Sequence, residues 1–366
     1  MISCVSRVTM KVERRICVFA VLLWLFAATG VVASAQSAHV KKQPIHGLVT
    51  MGDIGTVMHE GGHSRNALRE ANAHPGVYRA AALVLSWKEL EPTEGKLDTS
   101  SIEEALDRVR AYNLKYPDTP LKAKLRIFAG WNTPEWAIAK SGGPLVLTDK
   151  LGTLRIGRFW TAPYQRAWRQ FQNLLAQKYD NNPLIGEVAV SSCATISEEG
   201  FILPMDPHNH QLLYDAGFND RRHEACLLGA VQDYAAWKNT PIDYTVNPIR
   251  LTDETPWRLD YVFVRTVLVA FRKKYGSRGV IANHGLAAPL LPRDVPVVDL
   301  FKQLGPPIAF ETVNTRVNWP ESVALGLQDG ATDIEIWNTK DSGGLANISY
   351  TELKQWAKEM DGNSSR

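Results

Sequence analysis

Cysteine is scarce in this chain. Its 366 residues hold four, and two of these, Cys4 and Cys17, fall within the first 35 positions. A small disulfide-stapled scaffold is thereby excluded, as is a zinc site built from paired cysteines. Cys193 and Cys226 are left to form one disulfide or to stay as two buried thiols. Long apolar runs are also rare. The run Ile16–Ala28 falls short of the ~20 residues a membrane span needs. Excess charge is missing too. The formal +3 comes entirely from residues 1–35, with Arg7, Lys11, Arg14 and Arg15 against Glu13, and the remaining basic and acidic residues cancel. A basic surface for nucleic acid has no support from this balance. No internal repeat, low-complexity tract or interdomain linker marks a boundary. What is present, 45% hydrophobic and 22% charged residues, is the composition of an ordinary folded domain.

The first 35 residues carry the pattern of a secretory signal. Basic residues end at Arg14–Arg15, the apolar run follows, and Ala33-Ser34-Ala35 offers a small-x-small cleavage site before Gln36. A membrane anchor is the alternative. The expectation is a signal peptide over 1–35, a single domain over 36–366, and a secreted or periplasmic protein without a membrane span after cleavage.

Eight strand-like runs follow: His46–Ile54, Tyr78–Ser86, Lys122–Phe128, Ile185–Ser191, Ile242–Thr245, Gly279–Asn283, Ile308–Glu311 and Asp333–Trp337. Several are continuously apolar, as strands buried on both faces are. Helical patterns lie between them: Arg65–Ala73, Ser101–Tyr112, Ala162–Tyr179, Glu224–Trp237, Pro256–Tyr275, Val295–Leu304, Pro320–Asp329 and Tyr350–Met360. Eight alternations of β and α point to an α/β fold, a (β/α)8 TIM barrel. A doubly wound open sheet is the alternative. It would carry a phosphate-binding glycine turn after the first strand, and Gly52-Asp53-Ile54-Gly55 lacks the third glycine of that turn.

In such a barrel, chemistry sits where strands run into the following loops. Strand four leads into Ser197-Glu198-Glu199-Gly200-Phe201, strand seven into Glu311-Thr312, and strand eight contains Glu335 before Trp337. A carboxylate at the mouth of an apolar strand costs desolvation unless it is paired or used. Two facing one cavity supply a proton donor and a nucleophile, the pair that glycoside hydrolysis requires. A surface or salt-bridged glutamate is the plain alternative for either one alone.

The stretch Trp87-Lys88-Glu89-Leu90-Glu91-Pro92-Thr93-Glu94-Gly95 resembles the strand-two end of clan A (β/α)8-barrel glycoside hydrolases, as a divergent member. That resemblance implies a retaining glycosidase with Glu199 as acid/base on strand four, Glu311 as nucleophile on strand seven and Trp337 as a sugar-stacking residue. Members commonly carry Asn before the acid/base. Here Glu198 stands there, so Glu198 and Glu199 compete for the role. Glu-Gly-Phe at 199–201 resembles a Glu-Pro-aromatic run and favours Glu199.

Asp53, Trp87, Trp131, Asn132, Tyr244, Asn283, His284 and Trp337 fall at strand ends and are the candidate substrate-binding residues. The expected partner is an oligo- or polysaccharide, with no nucleic acid, cofactor or metal. One rival motif exists. His59-Glu60-Gly61-Gly62-His63 fits the H-E-x-x-H zinc pattern, which works only on a helix. Two adjacent glycines cost roughly 2 kcal/mol of helix propensity, so a loop lining the substrate site is the favoured reading over a zinc hydrolase. His208, His210 and His223 are read as solvated or structural. A non-catalytic glycan-binding barrel, or a lyase or isomerase on the same fold, is the remaining alternative.

Overall fold

The computed structural model describes residues 41–53, 64–149, 152–203, 206–253, 258–313, 319–338 and 348–363. The signal-peptide segment and the His59/His63 motif lie outside the described residues. Eight strands form a closed parallel barrel: β1 (Gly47–Asp53), β2 (Tyr78–Ser86), β3 (Lys122–Phe128), β4 (Ile185–Ala189), β5 (Ile242–Thr245), β6 (Gly279–Leu286), β7 (Ile308–Thr312) and β8 (Asp333–Asn338). Each strand pairs with its chain neighbours, and β8 closes on β1 through Gly47–Asp333 and Leu48–Ile334. Helices alternate with them: α1 (Ser64–Ala73), α2 (Ser100–Lys115), α3 (Ala162–Tyr179), α4 (Asp220–Asp233), α5 (Tyr261–Tyr275), α6 (Val295–Leu304), α7 (Trp319–Gln328) and α8 (Tyr350–Asn363). This is the (β/α)8 architecture read from the alternation of the sequence.

The strands are rich in apolar residues because both faces are covered, although several carry buried charged residues that point into the barrel. Leu83 and Leu85 of β2, and Leu125 and Ile127 of β3, belong to the large apolar core shared with helix residues such as Leu106 and Phe171. The alternate residues Val49, Met51, Ala80, Ala82, Val84 and Phe128 fill part of the barrel interior. Burying one such side chain contributes about 1.5–3 kcal/mol. Period-2 alternation in the strand therefore separates an outer core from an inner one.

Three departures from the sequence pattern have local causes. Helix α4 begins four residues before the expected Glu224, because the Asn219 side chain accepts from Arg222 N at 2.9 Å and caps it there. Helix α5 starts at Tyr261, where Asp260 caps by accepting from Phe263 N at 2.8 Å. Between β3 and α3 lies an antiparallel hairpin, Leu145–Asp149 with Gly152–Ile156. Its two strands are only five residues each, and the core-facing alternation is short: Leu145, Leu147 and Ile156 are buried while Val146, Thr148 and Arg155 are exposed.

Candidate active site

Strand β3 reads Lys-Ala-Lys-Leu-Arg-Ile-Phe. Positions 124 and 126 share a face, since side chains alternate along a strand, and closure of the barrel turns that face inward. Both side chains are buried. Two cations inside a protein must be neutralised, and the neighbouring strands supply carboxylates in two layers.

The lower layer surrounds Lys124. Its Nζ lies 2.5 Å from Glu335, 3.4 Å from Glu187 and 3.8 Å from Asp333, and it also pairs with Asp243. Four carboxylates, one of them shared with Arg126, outnumber this cation. Burial pushes Glu187 up to about 7 and Asp333 upward as well.

The upper layer surrounds Arg126. Its Nε lies 2.7 Å from Glu198 Oε1, one terminal nitrogen 3.1 Å from Glu311 Oε2 and the other 2.5 Å from Glu335 Oε2. One planar guanidinium thus reaches β7, β8 and the loop after β4. His284, from β6, completes the group. Its Nδ1 is 3.4 Å from Glu311 Oε2 and 3.6 Å from Oε1 of both Glu198 and Glu199. Its Nε2 lies 3.0 Å from Thr245 Oγ1. The Glu199 and Glu311 oxygens are consequently no farther apart than the two His284 distances together, about 7 Å. Those of Glu198 and Glu311 lie within 4.8 Å of each other.

Electrostatics separates these acids. Burial pushes Glu198 up, against the pull of Arg126 and His284. Burial also raises Glu311, to about 8, opposed by His284 and Arg126 and assisted by Glu335 and Glu198. Glu335 is buried as well, but Arg126 and Lys124 overcome that and hold it at about 2. For Glu199, burial is outweighed by His284, by the Ser197 hydroxyl and by Arg126, and its carboxyl stays below the usual range. Burial would lower His284, yet Glu311, Glu199 and Glu198 raise it to about 9. Glu199 is the accessible member: its side chain is 21% exposed, against 3% for Glu198.

The loop that carries Glu198 and Glu199 is braced from several sides. Cys193 is disulfide-bonded to Cys226 of α4. His223 Nε2 donates to the Cys193 carbonyl at 3.1 Å. Trp131 N donates to the Thr195 carbonyl at 3.0 Å, and this contact depends on Gly130. That glycine has φ +53°, and a Cβ there would sit 2.2 Å from the Thr195 oxygen.

The site brings together Glu198, Glu199, Glu311 and His284. It corrects other expectations. Trp87 is fully buried and is no sugar platform. Its ring meets Trp136, Tyr164 and Trp168 edge-on, and its Nε1 donates to Glu91 at 2.9 Å. Glu91 also accepts from Gly95 N at 2.8 Å, so the W-x-x-L-E-P-x-x-G stretch is a self-bonded loop. Tyr244 points outward, where its hydroxyl donates to the Leu227 carbonyl at 2.7 Å and its ring packs on Phe271; Asp243 and Thr245 face inward instead. Asn283 donates to Asn247 Oδ1 at 2.9 Å and accepts from Gly285 N, which makes it a brace within the loop. Asn132 is buried at the turn Gly130–Asn132. Trp131 is half-buried with Lys88 over its ring. Asp53 and Trp337 close β1 and β8, but their side chains lie outside the described residues. His210 bonds the Thr252 carbonyl and His223 is buried, both in structural roles.

Arg126, Lys124 and Asn247 escaped the sequence reading. The signal that marks the first two is the run of three cations at alternate positions, Lys122, Lys124 and Arg126, of which the last two lie within the apolar part of the strand. Among the described residues, Glu198, His284 and Glu311 also form a group close enough to hold a cation. The Arg126 guanidinium already stands against both carboxylates, so its positive charge fills that electrostatic role.

A cavity of about 260 Å³ adjoins the carboxylates, with Glu199, His284 and Asn247 in its wall. Among the described residues, no helix is long and apolar enough to cross a membrane.

No protein-family model matches the chain. No curated protein matches its sequence. Solved structures do match its fold. A cold-adapted β-galactosidase from Rahnella sp. R3 aligns with a TM-score of 0.51 at 13% identity, over 88% of this chain and 57% of that one. A β-galactosidase from the psychrophilic Marinomonas ef1 aligns at 0.53 and 12% identity, over 87% and 60%. This chain therefore spans less than two thirds of the length of either. At these identities the likeness is one of fold.

Proposed function

We propose that the protein is a glycoside hydrolase of the retaining type, with Glu199 as acid/base and Glu311 as nucleophile. The observation that carries the reading is the convergence of Glu199 and Glu311 on one histidine nitrogen, at 3.6 and 3.4 Å. The carboxyls come from the loop after β4 and from β7, 112 residues apart in sequence. Fold likeness to two β-galactosidases, by name glycosidases, supports the same class.

In the first step Glu199 gives its proton to the departing glycosidic oxygen. The Glu311 carboxylate bonds the anomeric carbon as the C–O bond breaks, and the aglycone leaves as an alcohol or phenol. In the second, Glu199 takes a proton from water, the resulting hydroxide bonds the anomeric carbon, and the Glu311 ester opens. The separation of at most about 7 Å is compatible with retention, which needs ~5–5.5 Å. Burial holds Glu311 up at about 8 in the protein alone, and Arg126 and His284 pull against it toward the ionised form. An oxocarbenium-like transition state would favour it further. Glu199 is held low in the protein alone. A sugar seated against it removes its remaining exposure to water, which raises a carboxyl.

A second reading has its own support. Glu198 lies within 4.8 Å of Glu311 and is raised by burial, two properties of an acid. Variants decide between them. Glu311→Gln should lose more than about a thousandfold in kcat on every cleaved glycoside. The acid/base variant should keep most of its rate on an aryl glycoside with an excellent leaving group, and azide should rescue it with retained configuration. If Glu198→Gln shows that rescue and Glu199→Gln does not, the acid/base role moves to Glu198. Full turnover by Glu311→Gln would show that Glu311 is not the nucleophile. We also infer export through cleavage after Ala35; an exported form whose N-terminus is other than Gln36 would oppose that site.

A further inference from the structure

The cavity beside the carboxylates has an uneven wall. Phe201, Ile202, Pro248, Ile249, Leu259 and Val313 present carbon to it from the loops after β4, β5 and β7 and from the short strand before α5. Three of its polar side chains are committed elsewhere, while Glu199, Arg250, His284, Arg293 and Asp294 also stand in the wall, Asp294 with a buried Oδ2 that has no hydrogen-bond partner among the described residues. Asn247 Oδ1 accepts from Asn283 Nδ2 at 2.9 Å and from His284 N at 3.1 Å. Thr252 Oγ1 donates to Asp220 at 2.7 Å. His223 donates to the Cys193 carbonyl at 3.1 Å. Arg293, 52% exposed and 3.6 Å from Asp294, stands at a solvent-facing part of the wall.

A pyranose in that space would bring several hydroxyls against carbon. Each hydroxyl buried without a partner costs about 1–3 kcal/mol. An aryl ring or alkyl chain has no such cost and gains by leaving water. The size also suits a small apolar group, because a dry cavity of ~150 Å³ already takes up benzene and this one measures about 260 Å³. Position identifies which half of a glycoside it would hold. Glu199 is in the wall and Glu311 is not. The group that receives the proton therefore lies on this side, and the group bonded by the nucleophile lies on the other.

We propose that this cavity is the aglycone subsite and that it takes an apolar aglycone, an aryl ring or a short alkyl chain, in place of a second sugar. The proposal rests on the glycosidase reading and narrows it to a substrate class.

Methyl, butyl and hexyl glycosides of a sugar that the enzyme cleaves provide the kinetic test, because their leaving groups have similar acidity. The value of kcat/KM should rise about fourfold per methylene until the cavity is full. The hexyl glycoside should outrun the disaccharide that bears the same sugar, and Leu259→Asp should flatten the series. A flat series in the wild type, with the disaccharide preferred, overturns the proposal and leaves the glycosidase reading standing. Saturation-transfer NMR on the whole protein with 1-hexanol, phenol and benzoate provides a readout that needs no turnover. Signals from hexanol and phenol that vanish in Leu259→Asp and in Val313→Asp support the apolar subsite. No signal, an equal signal in wild type and both variants, or a preference for benzoate overturns it. Absence of any hydrolysis, alongside specific hexanol binding, counts against the glycosidase reading and not against the apolar character of the cavity.

Discussion

Replacing Arg126 with Met tests the physical core of the site. The side chain is 2% exposed and within 3.1 Å of Glu198, Glu311 and Glu335. Methionine fills similar space without charge. Glu335 then retains Lys124 at 2.5 Å, while Glu198 and Glu311 retain only His284 among the cations described here, at 3.6 and 3.4 Å. Removing one partner from a buried ionic group typically costs about 3–5 kcal/mol, because the orphaned charge stays desolvated. With an m-value near 3 kcal/mol/M in urea, the unfolding midpoint should fall by about 1–1.7 M at pH 7. The gap should depend on pH with a definite sign. Glu335 sits at about 2 in the folded protein against roughly 4.3 when unfolded, so its ionised form contributes stability above pH ~4.3 that is lost toward pH 2. Glu198 and Glu311 are raised, and without Arg126 they rise further and are more costly to ionise. Both effects make the deficit largest near pH 8 and smaller in acid. A midpoint shift under about 0.3 M at pH 7, with m unchanged, would refute the ionic assignment, as would a deficit that widens toward acid. Arg126→Lys should fall between, since one ammonium cannot make three forked contacts.

Further outcomes follow from the loop that carries Glu198 and Glu199. His223 is buried neutral and lowered to about 4, so stability should fall as pH drops from about 6.5 to about 4, where the unfolded chain takes a proton that the folded one refuses. His223→Gln should flatten that part of a melting-temperature profile, and an unchanged slope would count against the burial argument. Cys193 and Cys226 are 33 residues apart, so Cys226→Ser should lower stability by roughly 3–4 kcal/mol and reduce kcat by loosening the loop; equal urea midpoints for the two proteins would contradict this. Gly130→Ala places a Cβ against the Thr195 carbonyl at positive φ and should cost at least about 1–3 kcal/mol, with kcat falling as Glu199 moves. A variant with wild-type melting temperature and kcat would show that the contact does not position the loop.

The strands were legible because each is a short, mostly apolar run between turn signals. The glutamates were legible because a carboxylate at the end of such a run has to be accommodated. Trp87 misled for the opposite reason: a tryptophan at a strand end looks available, yet Glu91, four residues on, takes its Nε1 and folds the loop onto the core. Arg126 was passed over because cations within a strand ordinarily belong to an exposed face. The strand alone does not say that both of its faces are covered.

The sequence by itself determined the order of the elements, the eightfold alternation and the residue types at each strand mouth, since these depend on local periodicity and burial. Parity and distance were decided only in three dimensions. At the end of β5, Asp243, Tyr244 and Thr245 are equally placed along the chain, and a shift of one residue exchanges inside for outside. Closing the barrel through β1 and β8 sets that parity. It turns Tyr244 into the helix layer, brings Lys124 and Arg126 inward, and places carboxylates from the loop after β4 and from β7 and β8 around one guanidinium. No local preference encodes that meeting, because it is enforced by a ring of backbone hydrogen bonds that exists only once all eight strands are paired.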